Sequence, residues 1–248
     1  MYGKKKSFGG GSGVSDRAES CCNGWIDSVY CGSGVDGKGL RCVVFFSGCN
    51  LRCPFCHNPE TLYKQGERTD VGALVKRLER YRAYFRRGGV TLSGGEPFLQ
   101  REFCLALLKA LSAGGIHTCA ETNGHIADGE LISACDEIIC DIKNQEGNDL
   151  SAYDDFLALC GEKGTSVRVT NVLVPEKNDS AEKLRALASL LYRHGLGEVQ
   201  FLPFRKLCAE KYESLSVPFP YHDVREAEEE DISRAKDAIN RYLCEFAM

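Results

Sequence analysis

The stretch from Phe45 to Thr61, FFSGCNLRCPFCHNPET, places Cys49, Cys53 and Cys56 within eight residues at C-x3-C-x2-C spacing. The neighbouring cysteines are Cys42 upstream and Cys104 downstream, so the triplet has no fourth thiol at hand. A structural zinc site closes four ligands, and only His57 could complete one here. Adjacent residues grip one ion with poor geometry, which makes His57 a weak partner for Cys56. A four-iron cube offers another chemistry, because three thiolates leave one iron free for a substrate or cofactor. An iron with a free position is a reaction site.

The elements that must carry such a loop follow from periodicity. Short apolar runs alternate with helical patterns: RCVVFFSG (41–48), VGALVKRLERYRAYF (71–85), GVTLSGG (89–95), EFCLALLKALSAGG (102–115), HTCAETNG (117–124) and GELISAC (129–135). The series continues with EIICDIK (137–143), SAYDDFLALCGEKG (151–164), SVRVTNVLVP (166–175), SAEKLRALASLLYRHG (180–195) and EVQFLPF (198–204). Continuous Val, Ile and Phe runs predict strands buried on both faces; recurrence at i, i+3, i+4, i+7 predicts helices between them. Gly114, Gly115 and Gly195 fall where helix C-caps belong. Six β-then-α units predict a parallel α/β sheet with right-handed crossovers, too few for a closed eight-stranded barrel and therefore an open, partial one. The triplet follows the first of these strands, at the end where such folds keep their chemistry.

Bulk properties narrow the classes. At 248 residues, 43% apolar and 27% charged, with net charge −4, the chain reads as a globular protein without a dominant nucleic-acid or membrane electrostatic role. No apolar run is long enough to span a bilayer, and MYGKKKSFGGGSGVSDR lacks a signal peptide's apolar core, so the expected location is the cytoplasm. Residues 1–23 are expected to be a flexible tail and 24–248 a single domain. Fourteen cysteines would suggest a disulfide framework in a secreted chain; a reducing compartment favours metal, redox or buried-thiol roles. Cys104, Cys119, Cys135, Cys140, Cys160, Cys208 and Cys244 sit singly among apolar residues and read as small buried hydrophobes. Cys21, Cys22, Cys31 and Cys42 have gaps that match no compact ligand pattern.

With Phe55 preceding the last cysteine, the triplet resembles the signature of the radical S-adenosylmethionine (SAM) superfamily. Further matches follow in order: SGGEP (93–97), ETNG (121–124), DIK (141–143) and VLVP (172–175). DGKGLRCVVFFSGCNLRCPFCHNPET, VTLSGGEPFLQREF, GIHTCAETNG and LPF…KYESL narrow the resemblance to the activating enzymes of glycyl radical enzymes, of the pyruvate formate-lyase type. A partial (β/α)6 barrel is the arrangement this resemblance implies, in agreement with the unit count.

The resemblance also implies roles. Cys49, Cys53 and Cys56 would ligate one [4Fe–4S] cluster, whose open iron takes the amino and carboxylate groups of SAM; the product radical would abstract a glycine α-hydrogen from a partner protein. Gly94 and Gly95 would let peptide groups approach the methionyl ammonium, with Glu96 supplying negative charge. Asp141 would bond the ribose and Lys143 the methionyl carboxylate, while Phe55 and Asn58 would contact adenine. Three positions depart from the family pattern. Glu121 stands for an aspartate, so an alkali cation would be held by Glu121, Thr122 and Asp141. Thr170 stands for an arginine that Arg168 would replace, and Arg205 stands for a histidine. No cysteine-rich insert lies between His57 and Cys104, so the electron is expected from a separate flavodoxin or ferredoxin. The rival readings are a small-molecule radical SAM enzyme of the carboxy-deazaguanine synthase kind and a non-catalytic zinc or iron–sulfur interaction module.

Alanine at Cys49, Cys53 or Cys56 should each abolish cluster assembly, whereas Cys104→Ala and Cys160→Ala should retain it. Iron and sulfide analysis of the five variants after anaerobic reconstitution checks this.

Overall fold

In the computed structural model, residues 22–145 and 150–248 are described. Their strands are β1 (Asn23–Ser33), β2 (Arg41–Phe46), β3 (Glu67–Asp70), β4 (Gly89–Gly94), β5 (Thr118–Thr122), β6 (Glu137–Asp141), β7 (Ser166–Leu173) and β8 (Gln200–Pro203). The helices are α1 (Val71–Glu79), α2 (Arg82–Phe85), α3 (Arg101–Ala113), α4 (Gly129–Ser133), α5 (Ala152–Lys163), α6 (Ala181–Arg193), α7 (Ala209–Ser214) and α8 (Glu229–Phe246). All strands join one open sheet in the order β3-β1-β2-β4-β5-β6-β7-β8. From β2 to β8 every pairing is parallel, and these are the six strands that the apolar runs predict.

A single cavity shows how far the sheet curls. Phe45 of β2, Ser93 of β4, Glu121 of β5, Asp141 of β6, Val172 of β7 and Leu202 of β8 all line it. In a flat sheet, five strand spacings would set β2 and β8 about 24 Å apart. The six strands therefore wrap into a partial barrel around a space of about 460 Å³.

Two strands were not expected from the sequence. β1 and β3 extend the sheet antiparallel beyond β2. β1, NGWIDSVYCGS, mixes polar residues and glycines with short apolar blocks and has two register irregularities against β2, so it carries no continuous apolar run. The Cys22 carbonyl accepts from the Val71 amide at 3.2 Å, so the ordered unit includes Cys22 and Asn23 of the expected tail, whose remainder, residues 1–21 with Cys21, lies outside the described residues. Cys31 and Cys42 face each other in the β1–β2 register and are joined as a disulfide, which removes both from any second metal site. Six of the seven single cysteines are buried as expected, but Cys244 is exposed on α8. The long helix expected over 71–85 breaks at Arg80 and Tyr81 into α1 and α2. Among the described residues no helix is long and apolar enough to cross a membrane.

Asp70 caps α1 by accepting from the Ala73 amide, and Ser180 caps α6 from the Lys183 amide. One buried side chain joins three elements below the cysteine loop. Gln100 Nε2 donates to the carbonyls of Trp25 (2.7 Å) and Ser47 (2.9 Å), and its Oε1 accepts from the Trp25 amide (2.8 Å). It thereby ties β1 to the exit of β2 and to the start of α3.

Gln100→Leu keeps the volume but strands these three backbone groups, and should cost about 2–4 kcal/mol of stability. Trp25 is the only tryptophan, so its emission during urea unfolding reports the loss directly.

Candidate active site at the barrel mouth

β2 leads straight into the cysteine loop, which closes on itself at the neck. The Gly48 amide donates to the Thr61 carbonyl at 2.7 Å and the Cys49 amide to the Leu62 carbonyl at 3.2 Å. Within the loop the Cys56 amide donates to the Cys53 carbonyl at 3.1 Å, closing a tight turn between the two cysteines. All three thiols are free, half-buried and in the cavity wall. Burial pushes each of them above the ordinary thiol range, Cys56 to about 11. A metal must displace those protons to bind. Cys49 Sγ already accepts the Leu51 amide at 3.4 Å, a contact that favours a thiolate.

The exit of β4 lies hard against this loop. Gly95 and Glu96 amides donate to the Phe46 and Gly48 carbonyls, each at 2.8 Å. Gly94 has φ +103°, and a Cβ there would stand 2.5 Å from the Phe46 amide nitrogen; one on Gly95 would stand 2.2 Å from the Gly48 carbonyl oxygen. Both glycines are therefore required by the cysteine loop itself, in addition to any ligand.

Glu96 departs from its expected role. Its carboxylate is fully buried and accepts from the Phe98 amide (3.0 Å), the Thr122 hydroxyl (2.8 Å) and the Asn123 amide (2.8 Å). It does not line the cavity, because those donors use it to clamp the exit of β4 to that of β5. Asn123, thus fixed, donates through Nδ2 to Asn50 Oδ1 at 2.8 Å and reaches Cys49 Sγ at 3.9 Å. No role for Asn123 was legible from its place in ETNG.

The opposite wall is polar. Lys143 Nζ and Asp141 Oδ2 are 2.5 Å apart, while Asp141 Oδ1 is buried with no partner among the described residues. Burial alone would depress the Lys143 ammonium, but Asp141 outweighs it and holds the group above the ordinary lysine range. The Lys143 amide donates to the Tyr153 hydroxyl at 2.8 Å, and Asn171 Nδ2 donates to the Ile142 carbonyl at 2.6 Å, so the backbone of this pair is fixed. Glu121 accepts from the Ser93 hydroxyl at 2.5 Å. Burial pushes its carboxyl up to about 7 against the pull of Ser93, with Asp36 and Asp141 adding to the rise. Thr122 lines the cavity too, but its hydroxyl is spent on Glu96.

Phe55 is both core and wall. It stacks on Tyr221 at 6.1 Å and packs with Val174, Phe204 and Ala227, while bordering the cavity beneath Lys143 Nζ at 5.5 Å. Asn58 borders it as well, its Oδ1 accepting from Lys211 Nζ at 2.9 Å.

Two arginines are not brought in. Arg168 shares a strand face with Thr170 but sits two residues deeper, where Glu137 takes its guanidinium at 2.5 Å. The Arg205 side chain donates to the Ala227 carbonyl; only its own carbonyl approaches the loop, 2.8 Å from His57 Nε2. Lys143 is consequently the only Lys or Arg among the described residues of the cavity wall, facing the carboxylates of Asp36, Glu121 and Asp141.

Asp36 was missed as a site residue, although DGKGLR carries the signal of a glycine-rich turn. The turn lies at the far end of β2, yet Asp36 reaches the cavity because Arg41, wholly buried, and Thr91 draw the turn into the lumen. Arg41 donates to Thr91 Oγ1 (2.6 Å) and to the Lys38 carbonyl (3.1 Å), and the Thr91 hydroxyl donates to the Asp36 carbonyl (2.6 Å).

Residues 35–146 match the family model described as a 4Fe-4S single cluster domain. The chain is 36% identical over 237 residues to the pyruvate formate-lyase-activating enzyme of Clostridium pasteurianum, covering 90% of this chain and 98% of that relative. It is 31% identical over 245 residues to the enzyme of the same name from Staphylococcus epidermidis, covering 88% and 95%. Among solved structures, Streptococcus suis SuiB bound to the precursor peptide SuiA matches with a TM-score of 0.61 at 15% identity, over 83% of this chain and 46% of SuiB. This chain thus spans about half of SuiB, and the likeness concerns the fold.

The raised carboxyl of Glu121 has a consequence for stability. A carboxyl with a higher pKa folded than unfolded stabilises fully below the unfolded value, and that contribution is lost as pH rises through the folded one. Glu121→Gln should therefore gain stability relative to the parent between about pH 4.5 and about 7, with a constant difference on either side. Unfolding midpoints of the metal-free proteins across that range check it.

Proposed function

We propose the following roles on the premise that this chain belongs to the pyruvate formate-lyase-activating enzyme family. It is a radical SAM enzyme that installs a glycyl radical on a partner glycyl radical enzyme, using a [4Fe–4S] cluster and SAM. When bound, these cofactors supply an electron and, by reductive cleavage of the sulfonium, a 5′-deoxyadenosyl radical that takes the glycine α-hydrogen.

The protein's part is holding and shielding. Cys49, Cys53 and Cys56 are the three thiolates for the cluster, set on a loop closed at both ends. Asp141 Oδ1, buried and unpaired, is the acceptor for a ribose hydroxyl, and Lys143 is the cation for the methionyl carboxylate. Phe55 and Asn58 border the adenine, and the Gly94–Gly95 backbone faces the ammonium. Glu121 and Asp141 would offer carboxylate oxygens to an alkali cation, whereas the Thr122 hydroxyl is engaged by Glu96. Glu96 acts at one remove, by fixing Asn123 beside Cys49. The observation that carries the reading is the juxtaposition of the cysteine loop with the Asp141–Lys143 pair, whose one free oxygen points to a missing donor. Pyruvate formate-lyase is the specific partner, a flavodoxin or ferredoxin is the electron donor, and the cytoplasm is the compartment; the names of the relatives support the first, and the lack of any cysteine between His57 and Cys104 supports a separate donor.

The reconstituted, dithionite-reduced enzyme should form 5′-deoxyadenosine and, with pyruvate formate-lyase, a glycyl electron paramagnetic resonance signal. Lys143→Ala should weaken SAM binding by about 1.5–3 kcal/mol, as expected for loss of a charge-assisted hydrogen bond. Equilibrium titration measures it, and unchanged affinity would detach Lys143 from the carboxylate.

A further inference from the structure

Asn58 is held from two sides before any ligand arrives. Its carbonyl accepts from the Thr61 amide at 3.0 Å and from the Thr61 hydroxyl at 2.8 Å, which fixes its backbone. Its carboxamide is held by Lys211, whose Nζ donates to the His57 carbonyl (3.1 Å), Asn58 Oδ1 (2.9 Å) and Glu60 Oε1 (2.5 Å). An ammonium has three N–H donors, and all are spent here on residues 57–60. Asn58 is part of the cavity wall, whereas Lys211 stands behind it. The helix that carries Lys211 is itself anchored. Cys208 before it and Tyr212 after it are buried, and Tyr212 packs on Phe219 with ring centroids 4.8 Å apart.

This arrangement decides which end of the amide a ligand meets. A lysine ammonium donates and never accepts, so the carboxamide oxygen must face Lys211 and the amino end must face away. Asn58 Nδ2 makes no hydrogen bond among the described residues, and Asn58 borders the cavity. A free amide N–H group in the same wall as the Phe55 ring suits a ring nitrogen of a purine and opposes its exocyclic amino group. We propose that Lys211 is a positioning residue, holding the Asn58 carboxamide so that Nδ2 donates to a ring nitrogen of adenine. The inference rests on the activating-enzyme reading and adds the residue that sets base recognition from outside the cavity. Without Lys211 the carboxamide is free to turn over, which sets an acceptor against an acceptor.

The test uses equilibrium titration of the reconstituted holoenzyme with SAM and with 5′-methylthioadenosine, which keeps the adenosine but lacks the ammonium, the carboxylate and the sulfonium charge. Lys211→Met should weaken both by the same factor, about three- to tenfold, the worth of one hydrogen bond, with iron content at the parent level. In an Asn58→Ala background the same substitution should cost nothing further, because the two residues act as one unit. Lys211→Arg, which keeps a donor for Asn58 Oδ1, should bind both probes as the parent does. Equal affinity in Lys211→Met would overturn the proposal, as would an undiminished loss in the Asn58→Ala background. A change confined to SAM would overturn it too, since that is an effect of charge on the methionyl group. Loss of iron in Lys211→Met would make the residue a brace of the cysteine loop and would equally overturn it. Failure of the activating-enzyme reading would appear elsewhere, as absent SAM cleavage in the dithionite-reduced parent.

Discussion

Without Cβ atoms at Gly94 and Gly95, the exit of β4 approaches the exit of β2 closely enough for two amides to meet the Phe46 and Gly48 carbonyls. The rest of the mouth is hung from that contact. Cys49 follows Gly48 directly, so its position is set by a parallel ladder extended past its last paired residues. Glu96 follows Gly95, so the same contact drives a carboxylate into the interior, where an unpaired charge would be expensive. Three donors offset the cost, two of them from the end of β5, and the third strand is thereby fixed to the first two. Burial still pushes the Glu96 carboxyl upward, a sign that the clamp is held against a desolvation penalty.

The cavity bounded this way is acidic by construction. Asp36 rises from the lumen, Glu121 from β5 and Asp141 from β6, and only Lys143 opposes them among the described residues of the wall. Burial, reinforced by repulsion from Asp36 and Asp141, pushes the Glu121 carboxyl up. A ligand with a sulfonium and an ammonium, balanced by one carboxylate, supplies the positive charge that these groups lack while leaving one partner for Lys143. The electrostatics therefore select for the charge pattern of SAM before any shape argument enters.

The six parallel strands were legible because each is buried on both faces and bounded by turn residues, so its sequence is an uninterrupted apolar run. β1 and β3 lack that signature: β1 breaks its apolar residues into short blocks with Asp27, Ser28 and Gly32, and β3, ERTD, is a polar edge strand of four residues. α8 carries Ile232, Ala235, Ala238, Ile239, Tyr242 and Leu243 at helical spacing behind its acidic first turn, so this helix was legible in the sequence although the series of units above ends at β8. At the site, spacing located the cysteine loop and the Asp141–Lys143 pair, since both depend on neighbours in sequence. It could not locate what depends on depth. Parity put Arg168 on the correct strand face, but two residues are about 6.6 Å along a strand, enough to carry it to Glu137. Glu96 was misread for a related reason: its partners Thr122 and Asn123 lie 26 and 27 residues away.

Access to the mouth follows from what fills the other openings. The DGKGLR turn occupies the lumen from the far end of the barrel, held there by Arg41 and Thr91. On the β8 side, the segment after Pro203 folds back over the cysteine loop. Phe204, Phe219, Tyr221 and Val224 pack with Phe55, and Lys211 ties α7 to the His57 carbonyl, Asn58 and Glu60. This satellite cluster is separate from the main core and is tied to β7 through Val172 and the bond from the Phe204 amide to the Leu173 carbonyl. Val172, Leu202 and Pro203 form an apolar stretch of the cavity wall beside it. The chain from Leu202 onward thus both borders the cavity and packs on the cysteine loop, so one stretch of chain holds the loop and the wall opposite it.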